Sequence, residues 1–158
     1  IEEIISEGHK VLIFSAFVKM LNVFRNYFIK NNIKFSYICG ETRDRESEVR
    51  NFQEDGSVQA FLISLKAGGF GLNLTAADYV FIVDPWWNPA AEMQAIDRTH
   101  RIGQTKNVFV YKAIIKDSIE EKILELQQSK VELVKKVITA EEGIFKKLSQ
   151  ENINYLFN

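Results

Sequence analysis

Residues 62–89 read LISLKAGGFGLNLTAADYVFIVDPWWNP. Two short apolar runs frame the stretch, Val58–Ser64 and Tyr79–Asp84 (YVFIVD), and each ends in turn chemistry: a cluster of glycines after the first, two prolines after the second. Apolar runs of this length, closed by Gly and Pro, predict strands buried on both faces, the condition of a parallel sheet. Working outward, Lys10–Phe14 (KVLIF), Phe35–Cys39 and Val108–Lys112 predict three more strands. Between them, Val18, Leu21, Phe24 and Phe28 recur at helical spacing, Asp44–Phe52 predicts a charged helix anchored by Val49 and Phe52, and Ala90–Ile102 predicts a helix closed by Gly103. Strands alternating with helices predict an α/β fold, a mostly parallel sheet with helices on both faces. Sheets of that kind bind ligands beyond the carboxyl ends of their strands. The loops Ser15–Phe17, Gly40–Arg43, Ser64–Asn73 and Asp84–Asn88 fall there.

The bulk properties narrow the function. The chain has 158 residues, 46% hydrophobic and 26% charged, values expected of one domain with a real core. No apolar run reaches the roughly 18 residues of a membrane span, so no membrane partner is expected. Net charge is −1, which argues against a wholly basic nucleic-acid binder but leaves room for a local phosphate-tracking surface. The single cysteine, Cys39, excludes an internal disulfide framework and fits a reducing compartment; it reads as a small apolar filler at a strand end. Two histidines and one cysteine give no metal-site spacing, and His9, just before a strand, reads as exposed. The acidic start Ile1-Glu2-Glu3 does not read as a signal peptide, and the absence of an initiator Met reads as a piece of something longer.

Chemistry concentrates in residues 94–104, QAIDRTHRIGQ. On a helix Gln94, Arg98 and Arg101 share a face. Two guanidiniums there suit a developing phosphoryl charge; equally, the arginines could pair with Asp97 or Glu92 or stay solvated. The run Ser-Leu-Lys-Ala-Gly-Gly-Phe-Gly-Leu-Asn at 64–73 allows positive φ and exposed amides that hold an anion, although it matches neither GxGxxG nor GxxxxGK[ST]. Trp86 and Trp87, stiffened between Pro85 and Pro89, either pack or press on a nucleic acid.

Together, LISLKAGGFGLNLTAADYVFIVDPWWNP and QAIDRTHRIGQ resemble motifs V and VI of the SWI/SNF family of DNA translocases, a branch of the superfamily-two helicase-like ATPases. KVLIFSAF at 10–17 resembles motif IV, and YICGETRDRE at 37–46 the short motif after it. The resemblance covers residues from about 8 to 130. Ser-Leu-Lys before the glycines and the ending Tyr155-Leu156-Phe157 lean toward a bacterial member.

The resemblance implies the second RecA-like lobe of a two-lobe motor, with ATP and Mg2+ bound between the lobes and duplex DNA across both. The partner lobe of the same protein would supply the phosphate loop and the acidic magnesium motif, neither of which occurs in these 158 residues. This lobe alone is therefore expected to be inactive and to hold neither ATP nor Mg2+ tightly. Carried over by motif, Arg98 and Arg101 would be arginine fingers and Gln94 would organise the phosphate end of the nucleotide. Gly69, Gly71 and Asn73 would couple nucleotide state to DNA grip. Ser15, Arg43, Ser64, Lys66 and Trp86 would touch the DNA. The helicase lobe is expected over 1–116, and 117–158 as a helical extension packing on it, opened by Ser118-x-x-Glu121 and carrying an apolar stripe of Ile119, Ile123, Leu126, Val131 and Val134. The expected location is the cytoplasm with the bacterial nucleoid, or the nucleus in a eukaryote. Two rival readings stand beside this one: a scaffold lobe that binds DNA or a partner in an ATPase-inactive relative, and an unrelated α/β nucleotide-binding enzyme.

Overall fold

The structure, a computed structural model, describes residues 1–67, 72–84, 89–97, 107–129 and 131–132. The strands are β1 (Val11–Ser15), β2 (Phe35–Ile38), β3 (Ala60–Ser64), β4 (Tyr79–Ile82) and β5 (Phe109–Lys112). They form one five-stranded sheet in the order β2-β3-β1-β4-β5, every neighbouring pair parallel. The helices are α1 (Glu2–Ser6), α2 (Val18–Lys30), α3 (Arg45–Glu54), α4 (Pro89–Ile96) and α5 (residues 119–129, with 131 and 132 also helical).

The central strands β1 and β3 are buried at every residue, as a strand covered on both faces must be. Alternation divides their side chains between two cores. Leu12, Phe14, Phe61, Ile63 and Val80 face α3 through Phe52. Val11, Ile13, Ala60 and Leu62 face α1 and α2 through Ile5, Leu21 and Phe28. The expected α/β sheet is therefore present, with helices on both faces. The helix expected to start at Asp44 is capped by it: the Asp44 carboxylate accepts the Ser47 N–H at 2.9 Å.

Four sequence expectations need correction or extension. His9 is not simply exposed: Nδ1 lies 2.5 Å from Asp78 Oδ2, while the Lys10 N–H donates to Asp78 Oδ1 at 3.1 Å. Asp78 thus ties the start of β1 to the start of β4. The helix expected over 90–102 is described as far as Ile96, with Asp97 in a turn; residues 98–103 lie outside the described residues. On α5, Ile119, Leu126 and Val131 are exposed, while Gln127 is buried at 4% exposure. Of the expected apolar stripe, Ile123 is half-buried and Val131 lines a cavity shared with Met93 and Ile96 of α4, so the stripe does not form one buried face among the described residues. Val134 lies outside the described residues. The box expected at Ser118 and Glu121 forms one residue early: Ser118 Oγ accepts the Glu120 N–H at 3.2 Å and the Glu121 carboxylate accepts the Asp117 N–H at 2.9 Å.

Candidate functional site

The chain leaves β1 toward β2 on one side and leaves β4 toward β5 on the other. Adjacent strands whose connections diverge open a crevice at their carboxyl ends, the usual ligand position in such sheets. Here the crevice floor is Ser15 to Phe17 against Asp84. The Ala16 N–H donates to Asp84 Oδ2 at 2.7 Å, the Val83 N–H to the Phe14 carbonyl at 3.0 Å, and the Phe17 N–H to Ser15 Oγ at 2.9 Å. Asp84 is 8% exposed, and its other oxygen, Oδ1, is buried with no hydrogen-bond partner among the described residues. Burial pushes its carboxyl above the usual aspartate range, against the opposing pull of the Ser15 hydroxyl and the N–H groups of Ala16 and Phe17.

One strand over, the loop after β3 is pinned on both sides of its glycines by α3. Before them, Arg45 Nη1 donates to the Ala67 carbonyl at 3.3 Å. After them, Gln53 Nε2 donates to the Asn73 carbonyl at 2.8 Å, and Gln53 Oε1 accepts the Ala76 N–H at 2.9 Å. An open groove of about 870 Å³ runs along this seam, lined by Arg43, Arg45 and Arg50, by the carboxylates of Asp44, Glu46 and Glu54, and by Gln53 and Asn73.

The residues singled out from the sequence are placed unevenly. Ser15 and Ser64 are register partners on β1 and β3 and both are buried, with the Ser15 hydroxyl engaged by Phe17. Arg43 and Asn73 are exposed and share the groove, and Lys66 is exposed on the same loop. Gln94 is exposed on α4. Gly69, Gly71, Trp86, Arg98 and Arg101 lie outside the described residues. Sequence reasoning missed Gln53 and Asp84. A glutamine in a charged helix looks solvated, so nothing marked Gln53; the proline following Asp84 did mark a rigid strand end. Among the described residues no three His, Cys, Asp or Glu side chains converge to hold a metal.

These features define a class: a parallel α/β lobe of the RecA type, with its carboxyl-end loops braced toward a crevice. Sequence comparison narrows it, since the model of the family described as "Helicase conserved C-terminal domain" matches residues 1–103. The chain belongs to that family, in its SWI/SNF branch. It is 41% identical to the DNA repair protein RAD5A of Arabidopsis thaliana over 90% of this chain and 14% of that protein. It is 39% identical to an uncharacterized ATP-dependent helicase of Mycoplasma pneumoniae over 99% of this chain and 15% of that one. The crystal structure of the C-terminal part of the Fun30 ATPase domain is similar at a TM-score of 0.75 and 44% identity, covering 78% of this chain and 41% of that one. Relatives occur in plants, fungi and animals as well as in Mycoplasma, so the family does not by itself assign the chain to bacteria. The chain spans about 14–15% of the length of these curated relatives.

Proposed function

We propose that this chain is the second motor lobe of an ATP-dependent duplex-DNA translocase. The observation that carries the reading is the pinned loop after β3. Arg45 and Gln53 hold both ends of the glycine stretch, beside a groove carrying Arg43, Arg50 and Asn73. Such a loop can pass a change at the lobe interface to a surface that touches phosphates, without moving the sheet beneath it.

In this reading ATP and Mg2+ are held mainly by the N-terminal lobe of the same protein, and Mg2+ stabilises charge on the transferring phosphoryl group. Arg98 and Arg101 enter when the lobes close, as arginine fingers, with Gln94 ordering the phosphate end. Gly69, Gly71 and Asn73 form the coupling loop. Arg43, Lys66 and Trp86 make the DNA contacts. Ser15 and Ser64, being buried, act by shaping the strand ends or become accessible when their loops shift on DNA. Residues 1–116 are the lobe proper and 117–158 its helical extension. Backbone contacts carry no base information, so binding is sequence-tolerant and falls steeply with salt. The protein acts wherever the cell keeps its DNA, in nucleoid or nucleus.

The test is ATP hydrolysis by the two-lobe parent with and without duplex DNA. Strong stimulation supports the motor. A folded parent that binds duplex DNA but turns over no ATP would instead support the scaffold reading.

A further inference from the structure

Glu92 on α4 is 1% exposed, which for a carboxylate demands compensation. Two elements provide it. Lys112 Nζ, from the end of β5, makes a short ion pair with Oε2, and Gln127 Nε2, from α5, donates to Oε1 at 2.8 Å. Lys112 Nζ also reaches Gln127 Oε1 at 3.4 Å, closing a ring of three side chains from three elements. Among the described residues the apolar neighbours of the ring are Met93, Ile96, Leu124 and Val131. A cavity of about 430 Å³ opens between α4 and α5, and Met93 and Leu126 are 61% and 57% exposed. Among the described residues the ring is the polar link between α4, β5 and α5.

An ion pair in which one partner, Glu92, is buried is a poor device for stability, since apolar residues of similar volume often serve as well or better. Its advantage is geometric. Gln127 offers its donor to Glu92 and its acceptor to Lys112, and this matches only one register of α5 against α4. Each residue of sliding displaces a helix by about 1.5 Å and turns it by roughly 100°, enough to break both bonds. The chain runs from the end of α4 at Ile96 directly into Arg98 and Arg101.

We propose that Glu92, Lys112 and Gln127 are positioning residues that fix α4 in the register from which Arg98 and Arg101 are presented, making the helical extension part of the catalytic apparatus. The proposal rests on the arginine-finger reading above. It is tested in the two-lobe parent by steady-state ATP turnover at saturating duplex DNA. Gln127→Leu and Lys112→Met are each expected to lower kcat about tenfold with KM for ATP changed less than about twofold, the signature of an interaction realised in the transition state. Lys112→Arg keeps the charge and is expected to restore turnover to within about threefold of the unmutated protein. Added to Arg101→Ala, Gln127→Leu should cost less than about twofold more, because both act through one group. Independently of activity, hydrogen exchange across residues 89–97 should be about tenfold faster in Gln127→Leu. Unmutated kcat in both disruptive variants, or a full tenfold loss on top of Arg101→Ala, would overturn the proposal. If Arg101→Ala leaves turnover intact, the arginine reading fails instead, and unchanged exchange over 89–97 would then dispose of the clamp as well.

Discussion

The two sides of this sheet are held by different physics. On the β1–β3 side, α1, α2 and α3 bury Phe28, Phe52, Phe61 and their neighbours in two apolar cores, one on each face. On the β5 side, all four strand residues are exposed, and α4 and α5 meet across a carboxylate, an ammonium and an amide. Apolar packing is non-directional and tolerates small shifts; a closed polar ring has one geometry or none. The first side is suited to being a platform. The second is suited to holding a helix at a chosen place, and that helix leads into the arginines.

The comparison can be broken first at the platform. Phe61→Ala empties a fully buried site between β1 and β2, and unfolding in denaturant should show a loss of about 3–5 kcal/mol. A loss under 1 kcal/mol would mean the β3 core is not what holds the sheet. Next in size, Gln53→Ala releases the loop after β3 at its carboxyl side. About 1 kcal/mol of stability should go, with a larger drop in DNA-stimulated than in basal turnover of the parent. Equal drops would deny the loop its coupling role.

A third prediction concerns pH. Burial raises the Asp84 carboxyl, so the folded state keeps a proton that the unfolded chain has already lost. The stabilisation from this group is complete below the usual aspartate range and disappears as pH climbs through the raised value. Thermal melts of Asp84→Asn against the unmutated protein should therefore show the variant gaining relative stability across mildly acidic pH. A difference that is constant with pH would mean Asp84 titrates normally. Smallest of all, Leu126→Ser should change stability by no more than about 0.5 kcal/mol, because Leu126 is exposed on α5. A loss of several times that would place the apolar stripe in the packing after all.

The same divide governs what could be read from the sequence. KVLIF at 10–14, Val58–Ser64 and YVFIVD at 79–84 announce buried parallel strands because burial on both faces leaves an apolar run, and all three became strands within two residues of the expected ends. Leu21, Phe24 and Phe28 marked the inner face of α2 for a similar reason, while Val18, the fourth residue of that spacing, is 42% exposed. The β5 side escaped that reading. Gln127 and Glu92 look like solvated residues in any pattern based on polarity, and Ile119 and Leu126 look buried, yet the burial is the reverse. Long-range polar pairing has no period in sequence, so neither the ring nor the Gln53 bracket could be foreseen. The short α1 was missed because five residues hold too little periodicity. The arginine pair was read from helical spacing and from its motif, and both residues lie outside the described residues.

The most direct measurement is ATP turnover by the two-lobe parent at saturating duplex DNA, unmutated and with Arg101→Ala, alongside nucleotide binding and thermal melting of both. If the lobe supplies an arginine finger, the variant melts and binds nucleotide as before and loses about 10³–10⁵ in turnover. A variant that hydrolyses ATP at the unmutated rate would contradict that claim.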